Sequence, residues 1–362
     1  MKQTSFTQKA VQPKGSTIMI SCVAFFFGCA VFQADLDFAY NTILENHPGV
    51  YNELDPEFSK RLDEEFEKSQ KCLLANESER DCIGVVEAFA KSFHDPHCWI
   101  RYKRGEEEEK IFKVSENFSL IETETGSMIR LPTFELSYEQ TLFLKALLQK
   151  LPDLRKGFVV FDVRGNGGGN SAWGEAILLA LFGEQYAQKC LAEMQRAVYV
   201  EWRASLGNLL HLQKLAHHIE TQFGTKAPET DWIQNLCEKM AGAIAQGSVF
   251  YRELSPPPIE IQEEAKKNLM QGAVIVVIDA QCASACLDFL DGLKAMAPGV
   301  IFVGEPTGFD SEYMELRTVD LPSGQGTLGF PIKVYRNRPR GGGVPHFPDI
   351  PDSAIGFLTR VF

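Results

Sequence analysis

Two segments constrain this chain more tightly than any other part of it. GFVVFDVRGNGGGN (157–170) and GAVIVVIDAQCASAC (272–286) each hold an unbroken apolar run that ends in a turn of glycine or other small residues. A strand wet on one face alternates apolar and polar residues. An unbroken run instead marks a strand covered on both faces, as in a parallel sheet sandwiched by helices. Helical segments lie between and beside the two runs, so the alternation predicts an α/β protein with a mixed, largely parallel sheet. In such sheets, sites form beyond the carboxyl ends of the strands. Here those ends carry Asp162 to Asn170 and Asp279 to Cys286.

The N-terminus has a different character. Lys2, Lys9 and Lys14 are its only charges before Asp35, and an apolar run follows from Ile18 to Phe32. The run is shorter than the ~20 residues that span a bilayer. Residues 1–34 therefore read as a signal peptide or lipoprotein leader, with Gly28-Cys29-Ala30 offering a small-x-small cleavage site or a lipid-attachment cysteine. An uncleaved anchor is the other reading. Export implies a periplasmic or secreted protein in an oxidising compartment, where cysteines pair. Cys72 and Cys82 flank the polar stretch LLANESERD and are the expected pair. Lys+Arg is 36 against Asp+Glu 48, a formal charge of -12. That balance argues against nucleic acid or an anionic membrane as the main partner. A membrane enters only through a retained leader or lipid anchor.

Residues 35–105 read as a helical N-terminal part. DLDFAYNTILENHPG and DCIGVVEAFAKSF have apolar positions at helical spacing, and the second ends before His94-Asp95-Pro96-His97. Residues 106–362 read as the α/β part. NFSLIETETGSMIRLPTF predicts two strands about a glycine turn, and Ser137 with Gln140 forms a capping box that opens a helix. Residues 172–265 read as a helical insertion. Its amphipathic stretches SLGNLLHLQKLAHHIETQF and TDWIQNLCEKMAGAIA can bury one face against each other, as a lid over the site would.

The strand ends offer several chemistries. Ser284 sits at a turn into a helix, where backbone N–H groups and the helix dipole favour a developing oxyanion. It reads either as a nucleophile or as a helix N-cap. Arg164 to Gly169 is a run of glycines that exposes backbone N–H groups. It reads as a phosphate cradle, an oxyanion hole or a plain tight turn, and a Walker loop is excluded because no Lys-Ser/Thr follows. His97 is a candidate base for a serine nucleophile, with His94 as its competitor. His211 and His218 share a helical face, but zinc would need a third close ligand. Cys286 reads as a thiol nucleophile, a disulfide partner or a buried thiol.

In order along the chain, these segments resemble the C-terminal-processing, or tail-specific, serine peptidases, the family that includes the tricorn core domain. An upstream Asp-x-His is matched by Asp95-Pro96-His97. A strand ending in Asp-x-Arg-Gly-Asn-x-Gly-Gly is matched by Asp162 through Gly169. Ser-Ala-Ser-Ala-Ser-Glu is matched by Cys282-Ala283-Ser284-Ala285-Cys286-Leu287, Val-Gly-Glu-x-Thr by Val303 through Thr307, and a final Gly-Val…Pro-Asp by Gly343-Val344 and Pro348-Asp349.

The resemblance implies a ClpP/crotonase-type core and peptide or protein substrates, with no cofactor and no metal. It implies acyl transfer by Ser284, with His97 as base and an oxyanion hole from Gly168, Gly169 and Ala285. Many members use a Ser–Lys dyad, but Gly308-Phe309-Asp310-Ser311-Glu312 lacks the lysine, so the Ser–His branch is the match. That branch's carboxylate is replaced by Gly341-Gly342, which leaves Asp310, Glu312, Glu315 and Asp349 as candidates. Too few residues separate His97 from Asp162 for the PDZ domain of many relatives. A carrier or binding protein on the same fold, inactive or weakly active, is the alternative function.

Overall fold

The computed structural model describes residues 17–76, 78–103, 117–254, 267–338 and 340–351. Helix α1 (Thr17–Asn46) leads into a single 3-10 turn (Pro48–Tyr51), then α2 (Phe58–Ala75) and α3 (Glu79–Lys91). Ser78 caps α3 by accepting the Asp81 N–H at 3.1 Å. Strand β1 (Trp99–Tyr102) follows. Strands β2 (Ser119–Glu122) and β3 (Gly126–Arg130) pair as the expected hairpin, and the Ser137–Gln140 capping box opens α4 (Tyr138–Leu154). Then come β4 (Phe158–Asp162), α5 (Ser171–Phe182), α6 (Glu184–Met194), β5 (Tyr199–Arg203), α7 (Leu206–Phe223), α8 (Pro228–Ala245) and β6 (Phe250–Leu254). The chain continues through β7 (Val274–Ile278), α9 (Ala285–Met296), β8 (Ile301–Gly304), β9 (Tyr313–Asp320), β10 (Gly326–Arg336) and β11 (Ile350–Pro351).

Two sheets result. One runs β11-β8-β7-β4-β3-β2, and only its β2–β3 pair is antiparallel. The two apolar runs are its central strands, paired in parallel with Val159 against Val274 and Phe161 against Val276. Helices cover it, with Phe161 of β4 packed edge-on to Phe289 of α9 at 5.3 Å. This is the mixed, largely parallel sheet that the unbroken apolar runs predict. The other sheet is antiparallel: β10 pairs with β1, β5 and β9, and β5 with β6.

Each sheet has its own core. Residues of α1 to α3, β1, β5, β9, β10, α7 and α8 form the first, including Phe58, Phe89, Trp202 and Phe330. The second lies around the parallel sheet. Phe32, 3% exposed, packs in the first, and the buried Asp35 accepts from Tyr102 Oη at 2.8 Å and Ser323 N at 2.9 Å. Among the described residues, no helix is long and apolar enough to cross a membrane.

Two expectations need adjustment. Cys72 and Cys82 are not joined in a disulfide: Cys72 is exposed, while Cys82 is buried in the first core. The segment 172–265 is largely helical, and its two amphipathic stretches form α7 and α8, but it also supplies β5 and β6 to the antiparallel sheet. Nor is it a detachable lid, because Leu209, Leu212, Ile233, Leu236 and Met240 of α7 and α8 belong to the first core. Burying each is worth ~1.5–3 kcal/mol, a sum comparable with the ~5–15 kcal/mol that holds a whole domain folded. A chain lacking residues 206–245 should therefore not fold. Circular dichroism checks this, and a cooperative melt of the shortened chain would contradict it.

Candidate active site

Asp279, just past β7, ties together the two turns that end the central strands. Its carboxylate accepts the N–H of Gly165 at 3.0 Å and that of Gln281 at 3.0 Å. Beyond it the backbone turns sharply at Ser284, whose φ is 55° and ψ -128°. A side-chain-bearing residue at positive φ is strained, and such strain gathers at functional sites. The N-cap reading requires the Ser284 hydroxyl to accept a first-turn N–H of α9, and no such bond is made. Instead the Ser284 N–H donates to Asp310 Oδ1 at 2.9 Å. Asp310 is fully buried, and its Oδ2 lies 3.5 Å from Arg338 and 3.6 Å from Arg340. Two arginines thus hold the carboxylate that holds the strained turn.

The glycine turn is built from below. Asp162, at the end of β4, takes Arg130 at 2.8 Å and both faces of the Arg164 fork at 2.9 and 2.8 Å. Buried Asn166 donates to Leu131 O at 3.0 Å and accepts the Gly168 N–H at 2.9 Å, while its carbonyl accepts Ala283 N–H at 3.0 Å. That last bond joins the glycine turn to the Ser284 turn. At Gly168 φ is +100°, and a Cβ there would stand 2.6 Å from Ser284 Cβ and 2.9 Å from Ala285 N. Only glycine leaves that space open. Of the three expected oxyanion donors, Gly168 already gives its N–H to Asn166. The N–H groups of Gly169 and Ala285 make no hydrogen bond among the described residues.

His97 lies between α3 and β1. Its backbone N–H donates to Asp95 Oδ1 at 2.9 Å, and its Nδ1 lies 3.5 Å from the same oxygen. Ser311 Oγ donates to that oxygen too, at 3.0 Å. On the other side, Asp95 Oδ2 lies 3.8 Å from His47 Nε2. Burial disfavours the Asp95 carboxylate, but the two histidines outweigh it and hold its pKa down at about 2. Burial likewise opposes charge on His97, yet Asp95, seconded by Asp310, leaves its pKa above the ordinary histidine value.

Asp310 and Ser311 are neighbours in the chain. One grips the backbone of Ser284 and the other grips the carboxylate beside His97. Two adjacent residues thus hold the Ser284 backbone and the Asp95 carboxylate. The other candidates hold different partners, although Glu315 still senses the charge of His97. Asp349 accepts Phe302 N–H at 2.8 Å, well placed to anchor β8. Glu315 pairs with Lys333 at 3.1 Å. Glu312 lies against Gly342. His94 is exposed at φ 51°. His211, His217 and His218 lie on α7, the last two exposed. Cys286 is fully buried, which pushes its thiol pKa well up and away from a reactive thiolate.

Two cavities are present, and the second reaches the glycine turn. One of about 790 Å³ is lined by Ser171, Trp232, Asp288, Lys333, Tyr335 and Arg338 among others. Another, of about 1150 Å³, includes Pro132, Glu135, Phe143, Gly165, Gly167 and Gln281.

Sequence reasoning had Asp95 in its motif but gave it no role; Asp-Pro-His, with its built-in Asp-to-backbone bond, was the available signal. His47 and the grip of Asp310 on Ser284 had none, since both depend on contacts between distant segments.

Known proteins share the family and the fold. The model of peptidase family S41 matches residues 126–344. Among solved structures, mature CPAF complexed with lactacystin is similar at TM-score 0.59 and 10% identity, over 92% of this chain and 98% of that one. Mature CPAF alone is similar at TM-score 0.55 and 9% identity, over 90% and 93%. At such identities the likeness is one of fold. No curated protein matches the chain.

Proposed function

The chain belongs to peptidase family S41 and by that membership is a serine peptidase acting on peptides or proteins, and we propose that Ser284 is its nucleophile and His97 its base. The supporting observation is the Asp310-Ser311 tether, which fastens the Ser284 turn at one residue and the Asp95–His97 pair at the next. With Nδ1 facing Asp95, His97 has Nε2 as its free base. That nitrogen takes the hydroxyl proton as Ser284 Oγ bonds to the scissile carbonyl carbon. The carbonyl oxygen becomes an oxyanion beside the open N–H groups of Gly169 and Ala285 at the N-terminus of α9. His97 then returns the proton to the leaving amine as the C–N bond breaks, leaving an acyl ester on Ser284. Water, deprotonated by the same nitrogen, releases it.

A Ser–Lys mechanism has less support. Lys333 is held by Glu315 at 3.1 Å, and although burial opposes its charge, that partner keeps its pKa raised. A lysine base needs the reverse. Residues 1–34 we read as a leader for export to the periplasm or the medium, with lipid attachment at Cys29 as its membrane-bound form.

A fluorophosphonate probe tests the nucleophile. It should attach to the purified full chain at Ser284, as located by peptide mass mapping, and Ser284→Ala should abolish labelling. No labelling, or labelling at another serine, overturns the assignment.

A further inference from the structure

We infer that His47 is a positioning residue for the Asp95–His97 pair, its buried Nε2–H fixing one oxygen of Asp95 so that the other is presented to His97. The inference rests on the Ser284–His97 reading above. His47 follows α1 and is 0% exposed. Its Nδ1 accepts the Gly49 N–H at 2.9 Å. An accepting Nδ1 on a neutral ring puts the proton on Nε2. The ring has no freedom to turn away: it stacks on Phe58 at 4.5 Å and 15° and meets the edge of Tyr313 at 5.0 Å. Nε2 faces Asp95 Oδ2 at 3.8 Å, and neither atom has a hydrogen-bond partner elsewhere. The spacing exceeds a hydrogen bond, as contacts at resting catalytic sites often do.

The two oxygens of Asp95 thus divide the work. Oδ1 takes Ser311 and the His97 backbone and faces His97 Nδ1; Oδ2 faces His47 alone. A neutral donor suits the second position, because a cation there would cancel the charge that Asp95 offers His97. Burial lowers the pKa of His47 even though Asp95 and Asp55 pull the other way, so the ring stays neutral. The groups that face His97 are Asp95 and Asp310, with Arg338 opposing them and Glu315 sensing its charge. Those facing His47 are Asp95, Asp55 and the ring of Tyr313.

His47→Phe keeps the aromatic packing and removes the N–H; His47→Gln restores a donor. Fluorophosphonate labelling of folded His47→Phe should slow by about 10–100-fold, the usual effect of a misaligned catalytic group. The His97 titration midpoint, followed by its ring-proton NMR signal, should rise, because Asp95 loses a competing donor. A merely structural defect would slow labelling without raising that midpoint. His47→Gln should recover most of both. Unchanged labelling and an unchanged His97 midpoint in folded His47→Phe overturn the inference. Should that variant not fold, ring-nitrogen NMR of the unmodified protein decides instead. A neutral Nε2–H tautomer of His47 at neutral pH supports the inference, and a charged ring or the Nδ1–H tautomer overturns it. Failure of the parent reading is separate: it appears as absent labelling of the unmodified protein, whatever the His97 midpoint does.

Discussion

Replacing His97 by alanine should slow acylation of Ser284 by a fluorophosphonate probe by about 10³-fold or more, because nucleophile and base act as a unit. The His97 side chain is only 14% exposed and partners the buried Asp95, so the variant should melt below the parent and its labelling is read on the folded protein. The pH dependence carries further information. Only the unprotonated ring accepts the serine proton. With the His97 pKa raised, acylation should fall away on acidification from above the ordinary value of ~6.5. Asp95→Asn removes the main partner that sustains the imidazolium and leaves burial, which opposes it. The acid limb should then move to lower pH while the maximal rate drops by ~10²–10⁴. An acid limb that stays put in Asp95→Asn would mean that another carboxylate governs His97, and labelling of His97→Ala at the parent rate would mean another base.

Gly168→Ala should be nearly as damaging, for a steric reason. Its methyl would stand 2.6 Å from Ser284 Cβ and 2.9 Å from both Ala283 O and Ala285 N. It would also sit at φ +100°, where a side chain is strained. Either the Ser284 turn moves or the space beside the Ala285 N–H closes. Losing one oxyanion donor costs ~10²–10³ in rate, so a loss of at least about 10² is expected. Gly167→Ala is the control one residue away. Its Cβ would meet nothing within 4 Å, and it should label close to the parent rate. Similar rates for the two variants would remove Gly168 from the site.

What the sequence made legible was continuous in the chain. The central strands announce themselves as apolar runs, and the glycine turn and Ser284 follow each run directly. Strands β5 and β6 were not legible. YVEWR and FYREL are short segments set among amphipathic helices, and their strand character comes from pairing with each other and with β10. Asp310 was one carboxylate among several candidates. Nothing in its neighbourhood shows that it would meet the N–H of Ser284 rather than a histidine, because that contact is made by tertiary packing. His47 is silent for the same reason: its role depends on Phe58, Tyr313 and Asp95 arriving around it.

The division of the molecule into two cores has a consequence for the chain as it is made. His97 belongs to the first core's helices and β1, while Ser284 belongs to the parallel sheet. A ribosome delivers His97, the proposed base, long before Ser284, the proposed nucleophile. Later still come β10, the strand on which β1 and β5 both pair, and the arginines that brace Asp310. Domains of a growing chain fold as they emerge, but no early-folding part of this one holds both reacting groups. If Ser284 and His97 are the reacting groups, a nascent copy is inert toward its own unfolded tail and toward its neighbours. On that reading, hydrolytic capacity arrives only after the later strands have been made.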